Sequence, residues 1–108
     1  MNFVKIAKTS EFENNDFKKV SMMGKKVALF KCDEEDAGYF AVEVTCNHQG
    51  ADLTTGKRNG YVFTCPRHGW IYDMKTGECK NADSPRLRRH AIEIEGDEIR
   101  VSLFPVGS

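Results

Sequence analysis

The chain has 108 residues, the length of one ordinary domain, with room for a single core and none for a catalytic domain beside a cofactor domain. Hydrophobic residues make up 40% and charged residues 30%, a globular rather than a disordered composition. Sixteen Lys and Arg balance sixteen Asp and Glu, which removes the electrostatic case for binding nucleic acid or an anionic membrane surface. No run approaches the roughly 18 apolar residues that cross a bilayer. The first residues, Met1-Asn2-Phe3-Val4-Lys5, lack the charged-then-apolar order of a signal peptide and lead straight into a strand pattern. The expectation is a cytoplasmic, monomeric protein whose fold starts near its first residue.

Val4 and Ile6 alternate with Phe3, Lys5 and Ala7, a first strand. Residues 25–30, Lys-Lys-Val-Ala-Leu-Phe, are apolar on both faces and predict a well-buried strand. The acidic run at 33–36, followed by Ala37-Gly38, reads as a solvated hairpin loop. Phe40, Val42 and Val44 then alternate with Ala41, Glu43 and Thr45, the two-residue period of a half-buried strand. Residues 61–64 form another strand. Later, His90, Ile92 and Ile94 share one face of a continuous strand, Gly96-Asp97 makes a hairpin turn, and Ile99, Val101 and Leu103 return. Only 11–16 and 83–86 offer a short helical turn. Short strands at regular spacing predict an all-β sandwich or barrel, with residues from about 45 to 81, richer in glycine and loop signals, carried as an insertion in a single domain spanning 1–108.

Two ligand pairs carry the chemistry. Cys46-Asn47-His48 follows one strand and Cys65-Pro66-Arg67-His68 follows another, with sixteen residues between His48 and Cys65. Each pair offers a soft thiolate and an imidazole from the end of a rigid strand. Gly50 and Gly69 follow the histidines closely, and without a Cβ they let backbone amides approach inorganic sulfide. Zinc is the rival metal, since two Cys and two His also suit it. Zinc modules group like ligands with like; here each pair mixes them. A mixture of that kind serves a two-iron site in which one iron takes both thiolates and the other both imidazoles. Cys32 and Cys79 read as free thiols.

The pattern resembles the Rieske family. The resemblance rests on the two pairs and their flanks, Cys-Asn-His-Gln-Gly-Ala-Asp-Leu at 46–53 and Cys-Pro-Arg-His-Gly-Trp-Ile-Tyr-Asp at 65–73, with Lys-Thr-Gly-Glu-Cys at 75–79. It implies an antiparallel β-sandwich with a two-loop subdomain that holds one [2Fe–2S] cluster through Cys46, His48, Cys65 and His68. Gly50, Gly69, Trp70 and Tyr72 then stand around the cluster. Respiratory members brace the loops with a disulfide at positions occupied here by Ala51 and Arg67, so that bond cannot form. High-potential members carry a serine where this chain has Trp70. Losing that donor implies a potential toward the low end of the roughly −150 to +300 mV Rieske range.

Small size, the missing disulfide and His-Gly-Trp resemble the ferredoxins of bacterial ring-hydroxylating dioxygenase systems. What this implies is a one-electron carrier between a flavin-dependent reductase and a terminal oxygenase, docking transiently at the His48/His68 tip and not itself the site of substrate chemistry. Arg67 reads either as steering an acidic partner or as a solvated loop residue, and Trp70 as packing the loop or as a docking aromatic. His90, the one histidine outside the pairs, reads as an ordinary strand residue. Two alternatives stay open: a small subunit of an assimilatory nitrite reductase, and a zinc-stabilised interaction module.

Overall fold

The structure is a computed structural model and describes residues 2–46, 50–67 and 69–106. Its strands are β1 (Phe3–Lys8), β2 (Phe17–Met22), β3 (Lys25–Lys31), β4 (Tyr39–Glu43), β5 (Lys57–Asn59), β6 (Val62–Thr64), β7 (Ile71–Asp73), β8 (Arg89–His90), β9 (Ile92–Glu95) and β10 (Glu98–Ser102). They build three antiparallel sheets, in the orders β1-β10-β9, β2-β3-β4-β8 and β5-β6-β7. Two short 3-10 turns, Thr9–Phe12 and Leu53–Thr55, are the helical content of the described residues. The all-β, antiparallel expectation holds.

The four-stranded sheet is the wall between two cores, which is why β3 is apolar on both faces. Side chains alternate across a strand. Ala28 and Phe30 therefore join Phe40, Val42, Val44, Phe63 and Tyr72 on one side, while Val27 and Leu29 join Phe12, Ile99 and Val101 on the other. Each large apolar side chain so buried contributes about 1.5–3 kcal/mol before entropy is counted. β4 has the same position. Ala41 is fully buried on the face expected to be wet, so β4 is not half-buried: a small side chain there lets the β1-β10-β9 sheet pack close.

The β5-β6-β7 sheet, formed by the chain between β4 and β8, leans on the first of these cores through Phe63 and Tyr72. Arg58 pins it down. Its guanidinium carbon lies 5.3 Å from the Phe63 ring centroid and 5.5 Å from that of Phe17, and Nη1 donates to Asp16 at 2.8 Å. Arg58 thus covers apolar rings with its flat face and keeps its edge in an ion pair. Its hydrogen bonds hold the Asp16 carboxyl below the usual carboxylate range.

Further expectations need correction. Residues 83–86 form no helical turn, because Pro85 biases Ser84 away from helical backbone. The turn expected at 11–16 lies at Thr9–Phe12, fixed by the Glu11 carboxylate accepting the Lys8 amide at 2.7 Å. Val4 and Ile6 do not share a face: the register of β1 shifts between Lys5 and Ala7, leaving Val4 40% exposed. The strand expected through His90, Ile92 and Ile94 breaks at Ala91, where the chain changes sheets. His90 pairs with Ala41 of β4 and Ile92 with Val101 of β10. The acidic loop is partly tied down as well, since Glu34 bonds Lys75 at 2.8 Å and Glu35 bonds Arg89 at 2.6 Å.

Candidate metal centre

Both ligand segments close in the same way. Past β4, residues 44–46 run antiparallel to 51–53: the Leu53 amide donates to the Val44 carbonyl at 2.8 Å, Thr45 bridges Asp52, and the Cys46 amide donates to Ala51 at 2.8 Å. β6 and β7 form the second hairpin, in which the Cys65 amide donates to the Trp70 carbonyl at 2.7 Å. Each cysteine is thus the last residue held by the ladder before its loop begins. Inside each loop a glycine amide turns back to the cysteine carbonyl, Gly50 to Cys46 at 2.8 Å and Gly69 to Cys65 at 3.1 Å. Both glycines are left-handed, with φ of 70° and 74°, a conformation costly for any residue with a Cβ.

The first hairpin is anchored by Asp52. Its carboxylate accepts the Thr54 amide at 2.9 Å and the Thr54 hydroxyl at 2.6 Å, and pairs with Lys19 of β2 and, at 3.6 Å, Lys26 of β3. Burial pushes the Asp52 carboxyl up, but Lys19 and Thr54 together hold it below the usual 3.8. A carboxyl depressed in the folded state adds stability above its unfolded value, and that stability is lost as pH falls through the folded one. Wild type is therefore expected to lose thermal stability more steeply than Asp52→Asn as pH drops below 3.8. Parallel profiles for the two proteins, from melts at successive pH values, would contradict this.

The second hairpin is held by the segment that follows it. Lys80 donates to the Ile71 carbonyl at 2.7 Å, Asp73 to the Glu78 carbonyl at 2.9 Å, and Tyr72 bridges Cys79. The Asn81 side chain carries the pairing further: its Oδ1 accepts the Ile71 amide at 2.9 Å and its Nδ2 donates to the Gly69 carbonyl at 2.9 Å. Gly56 lies where the chain passes behind Thr64, with no room for a Cβ. Sequence reasoning singled out neither residue. Asn81 acts through a side chain that imitates backbone, and the Gly56 constraint comes from a carbonyl eight positions away.

The structure places Cys46 and Cys65 in one buried set, 1% and 2% exposed, and Ala51 and Trp70 pack against that set. His48 and His68 lie outside the described residues. Tyr72 is fully buried, with its hydroxyl 3.1 Å from Ser84 Oγ. Arg67 is exposed. Among the described residues no three Cys, His, Asp or Glu gather into a metal site; of the four candidate ligands the structure describes the two cysteines. Two buried soft donors on matched loops, with glycine amides beside them, fit a thiolate-held iron. None of the four cysteines is in a disulfide.

His90 is elsewhere and has its own partners. Nδ1 lies 2.8 Å from the Ser102 carbonyl, which only accepts, so Nδ1 carries a proton; Nε2 faces Glu43 Oε2 at 3.2 Å. His90→Ala strands both partners in a buried place, at a cost of about 1–3 kcal/mol. The expected result is a melting point lower by about 5–15 °C with an unchanged visible spectrum. A bleached variant would make His90 a ligand.

Fold and site together define a small all-β protein that presents two cysteines on twin hairpin loops, each loop also carrying a histidine in its sequence. The Rieske [2Fe-2S] domain model matches residues 2–99, and the chain belongs to that family. Cholesterol 7-desaturase nvd of Hemicentrotus pulcherrimus is 30% identical over 71% of this chain, which spans only 16% of that protein's length. Ferredoxin CarAc of Metapseudomonas resinovorans is 28% identical over 93% of this chain and 92% of its own. A Ralstonia protein named as the ferredoxin component of naphthalene 1,2-dioxygenase/salicylate 5-hydroxylase systems is 27% identical over 94% and 96%. Among solved structures, a chain of the complex of reduced oxygenase and oxidized ferredoxin in carbazole 1,9a-dioxygenase shares the fold, with a TM-score of 0.79 at 23% identity over 98% of this chain and 97% of that one. No helix among the described residues is long and apolar enough to cross a membrane.

Proposed function

We propose that this protein is a Rieske-type ferredoxin, a cytoplasmic one-electron carrier between a flavin-dependent reductase and a terminal oxygenase. The observation that carries the reading is the end-to-end match to ferredoxin components: over nine-tenths of both chains align with CarAc, against 16% of the desaturase. Cys46, Cys65, His48 and His68 would hold one [2Fe–2S] cluster, which would supply one-electron redox chemistry. This chain's own residues do the rest. The two ladders fix the cysteines, and the left-handed glycines fold each loop back so that its amides stay close to its cysteine. Trp70 and Ala51 close the loops over the core. Arg67, exposed between Cys65 and His68, suits an acidic partner surface. Residues from about 45 to 81 constitute the cluster-binding subdomain within one Rieske domain.

The test is purification without oxygen, iron and sulfide analysis, and EPR after reduction. Two irons and two sulfides per chain with a Rieske-type signal are expected, followed by reoxidation on mixing with a dioxygenase-type oxygenase. A colourless protein holding one zinc would overturn the reading, and a cluster-bearing protein reoxidised only by a sirohaem reductase would move it to the nitrite reductase alternative.

A further inference from the structure

We infer that Asn81 is a positioning residue for the second cluster loop, holding the backbone on both sides of Trp70 by standing in for a peptide group; this rests on the cluster-binding reading above. The pairing of β7 with the segment after it runs out at Ile71, whose carbonyl receives the Lys80 amide. Beyond that point the main-chain pairing with the 78–80 segment ends, while the other edge still faces β6 and Cys65. Asn81 extends the ladder with its carboxamide. Oδ1 takes the Ile71 amide and Nδ2 gives to the Gly69 carbonyl, both at 2.9 Å. One orientation of the amide satisfies both bonds, because the Ile71 N–H can only donate and the Gly69 carbonyl can only accept.

The position gives the contact its leverage. Gly69 amide and carbonyl are both engaged, the first by Cys65 and the second by Asn81. The Trp70 carbonyl takes the Cys65 amide. Asn81 therefore grips, from outside, the 70–71 peptide that returns to Cys65 from inside, together with the 69–70 peptide beside it. With the Gly69 carbonyl fixed, the trans peptide fixes the direction of the Trp70 amide. Orientation of backbone dipoles near an iron–sulfur centre is one of the quantities that set its potential. The Cys79 thiol, 3.8 Å from Oδ1, adds a weak donor to the same oxygen. Asn81 is solvent-exposed, so each bond competes with water and the effect is a loosening rather than a collapse.

Two variants separate the bonds. Asn81→Ala removes both; Asn81→Asp keeps an acceptor for the Ile71 amide but has no donor for the Gly69 carbonyl. Amide exchange at Ile71 is expected to speed up about 5–10-fold in Asn81→Ala, one lost hydrogen bond's worth, and to stay protected in Asn81→Asp. Release of iron to a chelator is expected to be several-fold faster in both variants, with the strands β1, β9 and β10 exchanging as in wild type. Asn81→Ala should also shift the EPR g-values and the midpoint potential, which a merely structural residue would leave alone. Wild-type iron release, g-values and potential in Asn81→Ala would overturn the inference. A wild type purified without iron and sulfide would instead overturn the reading of the site, before any variant is made.

Discussion

Cys65→Ser is expected to leave purification colourless, without acid-labile sulfide and without an EPR signal on reduction. A serine oxygen is a harder donor and holds its proton far more tightly than a thiol, so it does not replace a thiolate on iron at neutral pH. Cys46→Ser should behave the same way, since Cys46 has the matching place in the other hairpin. His48→Ala and His68→Ala test the imidazole half. Cluster binding also contributes to folding, so these variants should unfold at lower denaturant than the loaded wild type. Burial alone does not predict which cysteines matter: Cys32 is as buried as Cys65, at 2%. The loops decide. The Cys32 amide donates to Gly38 and its carbonyl takes the Glu35 amide, in the acidic hairpin. Cys32→Ser and Cys79→Ser should therefore keep full iron and sulfide. Retention of the cluster in Cys65→Ser, or its loss in Cys32→Ser, would refute the assignment.

The two candidate thiol ligands were legible in the sequence because a Cys/His pair within one loop is a local fact: Cys46 and Cys65 each sit two or three residues from a histidine after a strand-like run. The flanking glycines were legible for the same reason. Strand faces were harder. Residues 27–30 announced burial on both sides, but Ala41 looked like a residue on a wet face, and only the packing of a second sheet against it explains its burial. The break between His90 and Ile92 was hidden by a perfect alternation. Its cause lies in Ser102, whose carbonyl meets His90 Nδ1 and whose hydroxyl takes the Ala91 amide at 2.8 Å, bending the chain between sheets. Nothing near position 91 carries that signal. Asn81 and Gly56 were illegible in the same sense, because what each does is defined by an atom brought near by the fold.

Gly56→Ala makes that last point measurable. Gly56 has φ of −89°, which any residue adopts, so backbone preference does not require glycine here. Space does. A Cβ would lie 1.8 Å from the Thr64 carbonyl oxygen and 3.2 Å from Pro66 Cδ, and the nearer atom is main chain, unable to swing aside. Thr64 is clamped on both sides, paired with Lys57 of β5 and Ile71 of β7, and is the residue before Cys65. Relief requires shifting the end of β6, and Cys65 moves with it. Backbone overpacking of this kind costs about 2–3 kcal/mol, so the melting point should fall by about 10–20 °C, with faster release of iron. Gly60→Ala supplies the contrast. Gly60 is left-handed, with φ of 62° and open space around it, so its cost is conformational, about 1–2 kcal/mol, and Cys65 stays where it is. Iron release should then be unchanged in Gly60→Ala and accelerated in Gly56→Ala. If Gly56→Ala melts within about 2 °C of wild type, the packing of β5 behind the second cluster loop is looser than this contact requires.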